Sequence, residues 1–137
     1  MKIIKKEIVI EASTAKVWEH ITDPRKLAGW LMPNDFEAEV GRKFFLECSH
    51  QGKIFCVVKE MVLNEKLVYS FDSKAIGVET LVTITLAKAG KGTKLTLIHS
   101  GWDALPPAKQ GIADNYDGGW GTLLGQLQQE IETSAVN

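Results

Sequence analysis

From Pro107 to Thr133 the chain carries apolar side chains at Ile112, Tyr116, Trp120, Leu123, Leu124, Leu127 and Ile131. The spacings of 4, 4, 3, 1, 3 and 4 residues put all seven on one face of a helix. At 1.5 Å per residue that helix runs roughly 40 Å. So long an apolar stripe needs an equally wide apolar surface to lie against. The middle of the chain supplies one as a succession of strands, the last ending in Leu95-Thr96-Leu97-Ile98-His99-Ser100-Gly101-Trp102.

The preceding segments alternate as strands do. Lys2 to Glu11 reads as a strand with Ile4, Ile8 and Ile10 in phase. Ser13 can cap a short helix from Thr14 to Ile21 that buries Val17, Trp18 and Ile21. Asp23-Pro24 starts a second helix, with Asp as cap and Pro at the first helical position. That helix presents Leu27, Trp30 and Leu31 and stops before Pro33. Six further strands are expected: Phe36 to Glu39, Arg42 to Ser49, Ile54 to Leu63, Lys66 to Ser73, Val78 to Lys88 and Thr93 to Ser100. In the last three, Leu67, Tyr69 and Phe71, then Thr80, Val82, Ile84 and Leu86, then Leu95, Leu97 and His99, form the inward sets. For Ile54 to Leu63 neither parity is favoured. The opposite faces are largely polar, so the sheet is covered on one side. Strand, two helices, six strands and a long helix make an α+β fold on an antiparallel sheet. No repeat or linker divides it, and residues 1–137 read as a single domain.

The formal charge of −1, with acids and bases mixed, argues against a nucleic-acid or anionic-membrane partner. No apolar run approaches the ~20 residues that span a bilayer. The charged N-terminus lacks the apolar core of a secretory leader, so a cytoplasmic location is expected. Cys48 and Cys56 lie in adjacent strands. A two-residue turn at Gln51-Gly52 would put them on opposite sheet faces, and one residue more or less would put them on the same face. Reduced thiols are expected, in keeping with that location.

Gly111, Gly118, Gly119, Gly121 and Gly125 all fall in the last helix, where each costs roughly 1 kcal/mol against alanine. Either small residues let the helix lie close to the sheet or bend, or they leave room for something bound between them.

Several of these segments match a known pattern. Val17-Trp18 and Thr22-Asp23-Pro24 with Leu27 and Trp30 resemble the front of the domains homologous to the ATPase activator of the ninety-kilodalton heat-shock chaperone. Lys66 to Phe71 is similar to their central strand, and Thr93 to Trp102 to their last one. Gly119-Trp120 with Leu123, Leu124 and Leu127 resembles the start of their closing helix. The chain departs from that pattern at Ala12-Ser13-Thr14-Ala15, which has no proline, and between Gly52 and Asn64, which has no Asp-Pro-Pro-like turn. The resemblance implies a START-like helix-grip fold: a seven-stranded antiparallel sheet curled around the last helix, with two short helices closing the seam. It also implies a cavity between sheet and helix that holds a small hydrophobic molecule.

In such a fold Trp30 and Trp102 stand at the cavity entrance, and Tyr69, Phe71, Val82 and Ile84 form the inner wall. Phe44 and Leu46 join that wall, Leu97 and His99 face it from the last strand, and Tyr116 and Trp120 face it from the helix. Tyr69 and His99 are the expected polar contacts to a ligand. His99 is also the one candidate acid or base, because His20 and His50 are expected to be solvated. The structural alternative for His99 is a histidine hydrogen-bonded within the core.

No nucleophile elbow, Cys-x-x-Cys or His-Glu-x-x-His occurs, so neither a hydrolase triad nor a metal site is supported, and no cofactor is expected. Ala89-Gly90-Lys91-Gly92 reads as a hairpin turn rather than a phosphate loop, since Gly92 stands where Ser or Thr is needed. Binding of a lipid-, polyketide- or flavonoid-like molecule is the leading expectation, with a monomer or weak homodimer. The resemblance also raises an interaction protein acting on a chaperone ATPase, although no partner-docking domain is expected within these 137 residues. A cavity enzyme using His99 is a third class.

Overall fold

The computed structural model describes residues 3–48, 52–74 and 76–134, and the backbone alone at 134. Extended chain at β1 (Ile4–Ile10) gives way to two short helices, α1 (Thr14–Thr22) and α2 (Pro24–Trp30). Both starts follow from capping. Ser13 Oγ accepts from the Lys16 N–H at 3.2 Å, and Asp23 Oδ1 accepts from the Arg25 N–H at 2.9 Å beside Pro24. Val17, Trp18 and Ile21 are buried as expected. His20 is buried too rather than solvated. It lies on the same side of α1, and its Nδ1–H donates to the Lys16 carbonyl at 3.0 Å.

Strands β2 (Lys43–Cys48), β3 (Gly52–Val62), β4 (Lys66–Asp72), β5 (Glu79–Ala89) and β6 (Gly92–Ser100) follow. All pairings are antiparallel, in the order β1-β6-β5-β4-β3-β2. Local turns explain the meander. Asn64 takes a left-handed φ of 63° between β3 and β4, a conformation its short polar side chain tolerates. After β6, Gly101 has φ 100°, and a Cβ there would press on Thr80 Cα at 3.2 Å. That reversal tucks Trp102 inward, where it is fully buried.

The described sheet has six strands, not seven. Residues 36–39 form no strand; the only pairing nearby is an isolated bridge from Asn34 to Leu46. Side-chain bonds bend this segment away from extended pairing. Asn34 donates to the carbonyls of Met32 and Pro24 and accepts from the Phe36 N–H. What remains still protects the edge of β2: the Glu47 N–H donates to the Pro33 carbonyl and the Phe45 N–H to Asp35 Oδ1.

The closing helix α3 (Gly111–Ser134) is 24 residues long, about 36 Å. Short 3-10 turns at Trp102–Ala104 and Pro107–Lys109 lead into it, so it starts four residues later than Pro107. It covers the other sheet edge. Lys6 pairs with Asp117 at 2.5 Å, Gln128 Nε2 donates to the Val9 carbonyl, and the Glu11 N–H donates to Glu132. Trp120, Leu124, Leu127 and Ile131 are buried in the core between helix and sheet, while Ile112, Tyr116 and Leu123 are half-buried. Among the described residues no helix is long and apolar enough to cross a membrane.

Candidate functional site

The register sets which side chains look inward. Tyr69 pairs with Val82, Val82 with His99, and His99 with Ile4, so one buried row crosses four strands. The parity of β3 resolves through a bulge. Ile54, Cys56 and Val58 are buried, the register shifts between Val58 and Glu60, and Met61 then packs on the core from the odd phase. No single alternation could describe that strand.

Under this sheet the interior divides in two. Towards α1 and α2, the side chains of Ile21, Leu27, Trp30, Leu31, Phe36, Phe44, Leu46, Leu67, Tyr69 and Ile84 leave only about 10 Å³. That is at the limit of a single water. Phe36 meets Phe44 edge-on at 4.9 Å, and Phe44 meets Tyr69 at 5.4 Å. Trp30 Nε1 donates to the His20 carbonyl at 2.8 Å, which locks the ring against the strand side chains. Burial pushes the Tyr69 phenol far up, so it stays protonated.

Towards the start of α3 a pocket of about 190 Å³ remains. Its lining is Met32, Cys48, Ile54, Phe71, Asn115, Tyr116, Gly119, Trp120 and Leu123. Of the side chains expected at a ligand, Phe71, Tyr116 and Trp120 line this pocket. Trp30, Phe44, Leu46, Tyr69 and Ile84 belong to the packed half. Val82 and Leu97 are buried in the sheet core, and His99 and Trp102 stand behind the lining.

His99 holds the floor together. Its Nδ1 accepts from Trp120 Nε1–H at 3.0 Å, so its proton sits on Nε2 and is donated to Thr80 Oγ1 at 2.7 Å. Thr80 in turn donates to the Phe71 carbonyl at 3.1 Å, and Trp102 Nε1 donates to the His99 carbonyl at 2.9 Å. The ring lies 5.0 Å from Phe71 and 4.6 Å from Trp102. Burial pushes its pKa down to about 3, leaving it neutral at ordinary pH. With both nitrogens engaged, the imidazole fixes the indole of Trp120 in place and has no position left for a ligand.

Tyr116 is half-buried, and burial raises its phenol against the opposing effect of a hydrogen bond from Ser73. Cys48 and Cys56 are both free. Of the two arrangements left open by loop length, the register gives the same-face one: Phe44 pairs with Cys56 and Cys48 with Gly52, so both thiols lie on the inner face. Four strand residues, about 13 Å, separate them along β3, too far for a disulfide. Burial drives the Cys56 thiol up, reinforced by the carboxylates of Asp72 and Asp35, and leaves it inert. His50 lies outside the described residues.

The helix glycines are not there for close packing. A Cβ at Gly111, Gly118, Gly119 or Gly125 would meet nothing within 4 Å, and one at Gly121 only the tip of Lys6. Gly119 is the one that opens into the pocket. Sequence reasoning missed Met32, Cys48, Ile54, Asn115, Gly119 and Leu123 as lining residues. Cys48 and Ile54 would have followed from the correct hairpin register; Met32 and Asn115 carry no local signal.

Among the described residues no three His, Cys, Asp or Glu side chains converge. The family model for Activator of Hsp90 ATPase homolog 1-like protein matches residues 11–132. No curated protein matches significantly. Among solved structures, protein BH1534 of Bacillus halodurans is 32% identical, with a TM-score of 0.81 over 96% of this chain and 98% of that one. The Aha1 dimer from Colwellia psychrerythraea is 18% identical, with a TM-score of 0.83 over 96% and 97%. DynU16, from the dynemicin biosynthetic locus, is 22% identical, with a TM-score of 0.85 over 98% of this chain and 48% of its own. The last two likenesses establish the fold alone.

Proposed function

This chain belongs to the Activator of Hsp90 ATPase homolog 1-like family, and from that premise we propose that it binds a small apolar or amphipathic molecule between sheet and closing helix. The observation that carries this reading is the pocket of about 190 Å³ beside a half of the core packed down to about 10 Å³. Interiors normally close such space, because each unfilled volume forfeits dispersion contacts. Here a glycine borders it where a larger side chain would fit. A ligand's affinity would come from apolar area removed from water, at roughly 25 cal/mol per Å². Likeness in fold to a protein of a biosynthetic locus is compatible with a small-molecule role.

Protein purified from its own host and analysed by native mass spectrometry tests the reading. A bound small molecule is expected, and adding it back at about 100 times its Kd should stabilise the fold by about 2.7 kcal/mol. A mass equal to the bare chain, together with no thermal shift from any apolar compound, would overturn it. The family membership supports a second reading, in which the domain acts on a chaperone ATPase. Unchanged ATP turnover by the chaperone in the presence of excess protein would end that one. A reaction driven by His99 has little support, since both ring nitrogens are engaged and the ring stays neutral.

A further inference from the structure

We infer that the ligand is a compact aromatic of one or two rings, held with its polar substituent at the rim near Asn115. This rests on the pocket reading above and goes further in naming size, shape and orientation.

Volume gives the first constraint. A cavity of about 150 Å³ lined by apolar side chains accepts benzene. At about 190 Å³ this pocket exceeds that by enough for a substituted ring or two fused ones. It cannot enclose a long acyl chain or a four-ring system. The other half of the interior, with only about 10 Å³ left, offers them no room to extend inward.

Lining chemistry gives the second. Phe71 and Tyr116 stand at right angles, 5.8 Å between centroids, and Trp120 is pinned by its bond to His99. Rigid rings presenting both edges and faces suit a planar guest, which loses little conformational freedom on entry. Met32 and Cys48 add polarisable sulfur, which also favours aromatic contact. A flexible chain would gain no comparable directional contact and would have to order more bonds.

Orientation follows from where polarity lies. Asn115 is exposed at the lining, whereas the floor is Phe71 and Trp120, both buried. The indole N–H is already donated to His99 and offers nothing to a ligand. A hydroxyl or carboxylate on the guest is therefore held outward, beside the amide and water.

Titration calorimetry with naphthol, indole, dodecanoate and tetracycline tests the inference, using wild type, Gly119→Leu and Gly125→Leu. Naphthol and indole should bind one to one. Gly119→Leu should weaken them by about tenfold or more by occupying the pocket, whereas Gly125→Leu, on the same helix away from it, should not. A thermal melt of each variant confirms folding, and Gly119→Ala serves if the leucine variant does not fold. Binding of dodecanoate or tetracycline without the smaller rings would overturn the inference while leaving a ligand-binding pocket in place. Ring binding insensitive to Gly119→Leu would overturn it by placing the ring elsewhere. No binding by any of the four, with no thermal shift from wider apolar compounds, would remove the pocket reading as well.

Discussion

The two halves of the interior share one sheet and one helix, yet one is filled and the other is not. At the α1–α2 end, ten side chains reduce the void to about 10 Å³. At the other end, about 190 Å³ stays open beside Gly119. The difference lies in what the flanking elements contribute. Two short helices project Ile21, Leu27 and Trp30 into the first half, while α3 borders the second with Gly119. Stability is therefore concentrated in one half, and the other is left available for recognition.

The largest expected effect comes from making the same deletion in both halves. Leu46→Ala, in the filled half, should cost about 3–5 kcal/mol in urea denaturation, because nothing can collapse into the hole. Leu123→Ala, half-buried against the open pocket, should cost about 1 kcal/mol. Equal losses would erase the distinction between the halves.

Acid should come next. His99 binds no proton in the folded state until about pH 3, whereas in the unfolded chain it titrates near 6.5. Between those values the unfolded state holds more protons, so stability rises with pH across the window and is lost as pH falls through it. The contribution is of order a few kcal/mol. Denaturation midpoints at pH 7 and pH 4, compared for wild type and His99→Gln, check this; an identical pH slope in both would refute it.

Smaller effects sharpen the contrast along α3. Gly125→Ala and Gly119→Ala should each stabilise by about 0.5–1 kcal/mol in thermal melts, since neither new methyl meets a neighbour. Only the second should also reduce pocket binding. Smallest of all is Asp117→Asn, which removes a partly exposed ion pair to Lys6 and should cost about 0.2–1 kcal/mol, less at high salt.

The fold was readable where a single period governed a segment. Val82, Ile84 and Leu86 alternate without interruption, and the stripe from Trp120 to Ile131 keeps one helical face, so both surfaces could be located. Caps at Ser13 and Asp23 were equally plain, because their oxygens act within three residues. Reading failed where the physics is not local. The bulge at Val58 switches the phase of β3 mid-strand, and the bonds of Asn34 undo the strand expected after it. The site was harder still. Apolar inward residues look alike in sequence whether they fill a core or border a void; only the sizes of distant neighbours decide, and those come from other elements. Gly119 was visible as an anomaly, but its direction was not.

The first strand of the sheet pairs with the last, Ile4 beside His99, and Gln128 must then clasp Val9. At synthesis rates of about 5–20 residues per second, β1 waits roughly 5–20 seconds for its partner to emerge from the ribosome. Throughout that delay its isoleucines are uncovered and its hydrogen-bonding edge is open to nascent neighbours. Lys5, Lys6 and Glu7, set among those isoleucines, put charge where an uncovered apolar strand would otherwise invite pairing with another chain.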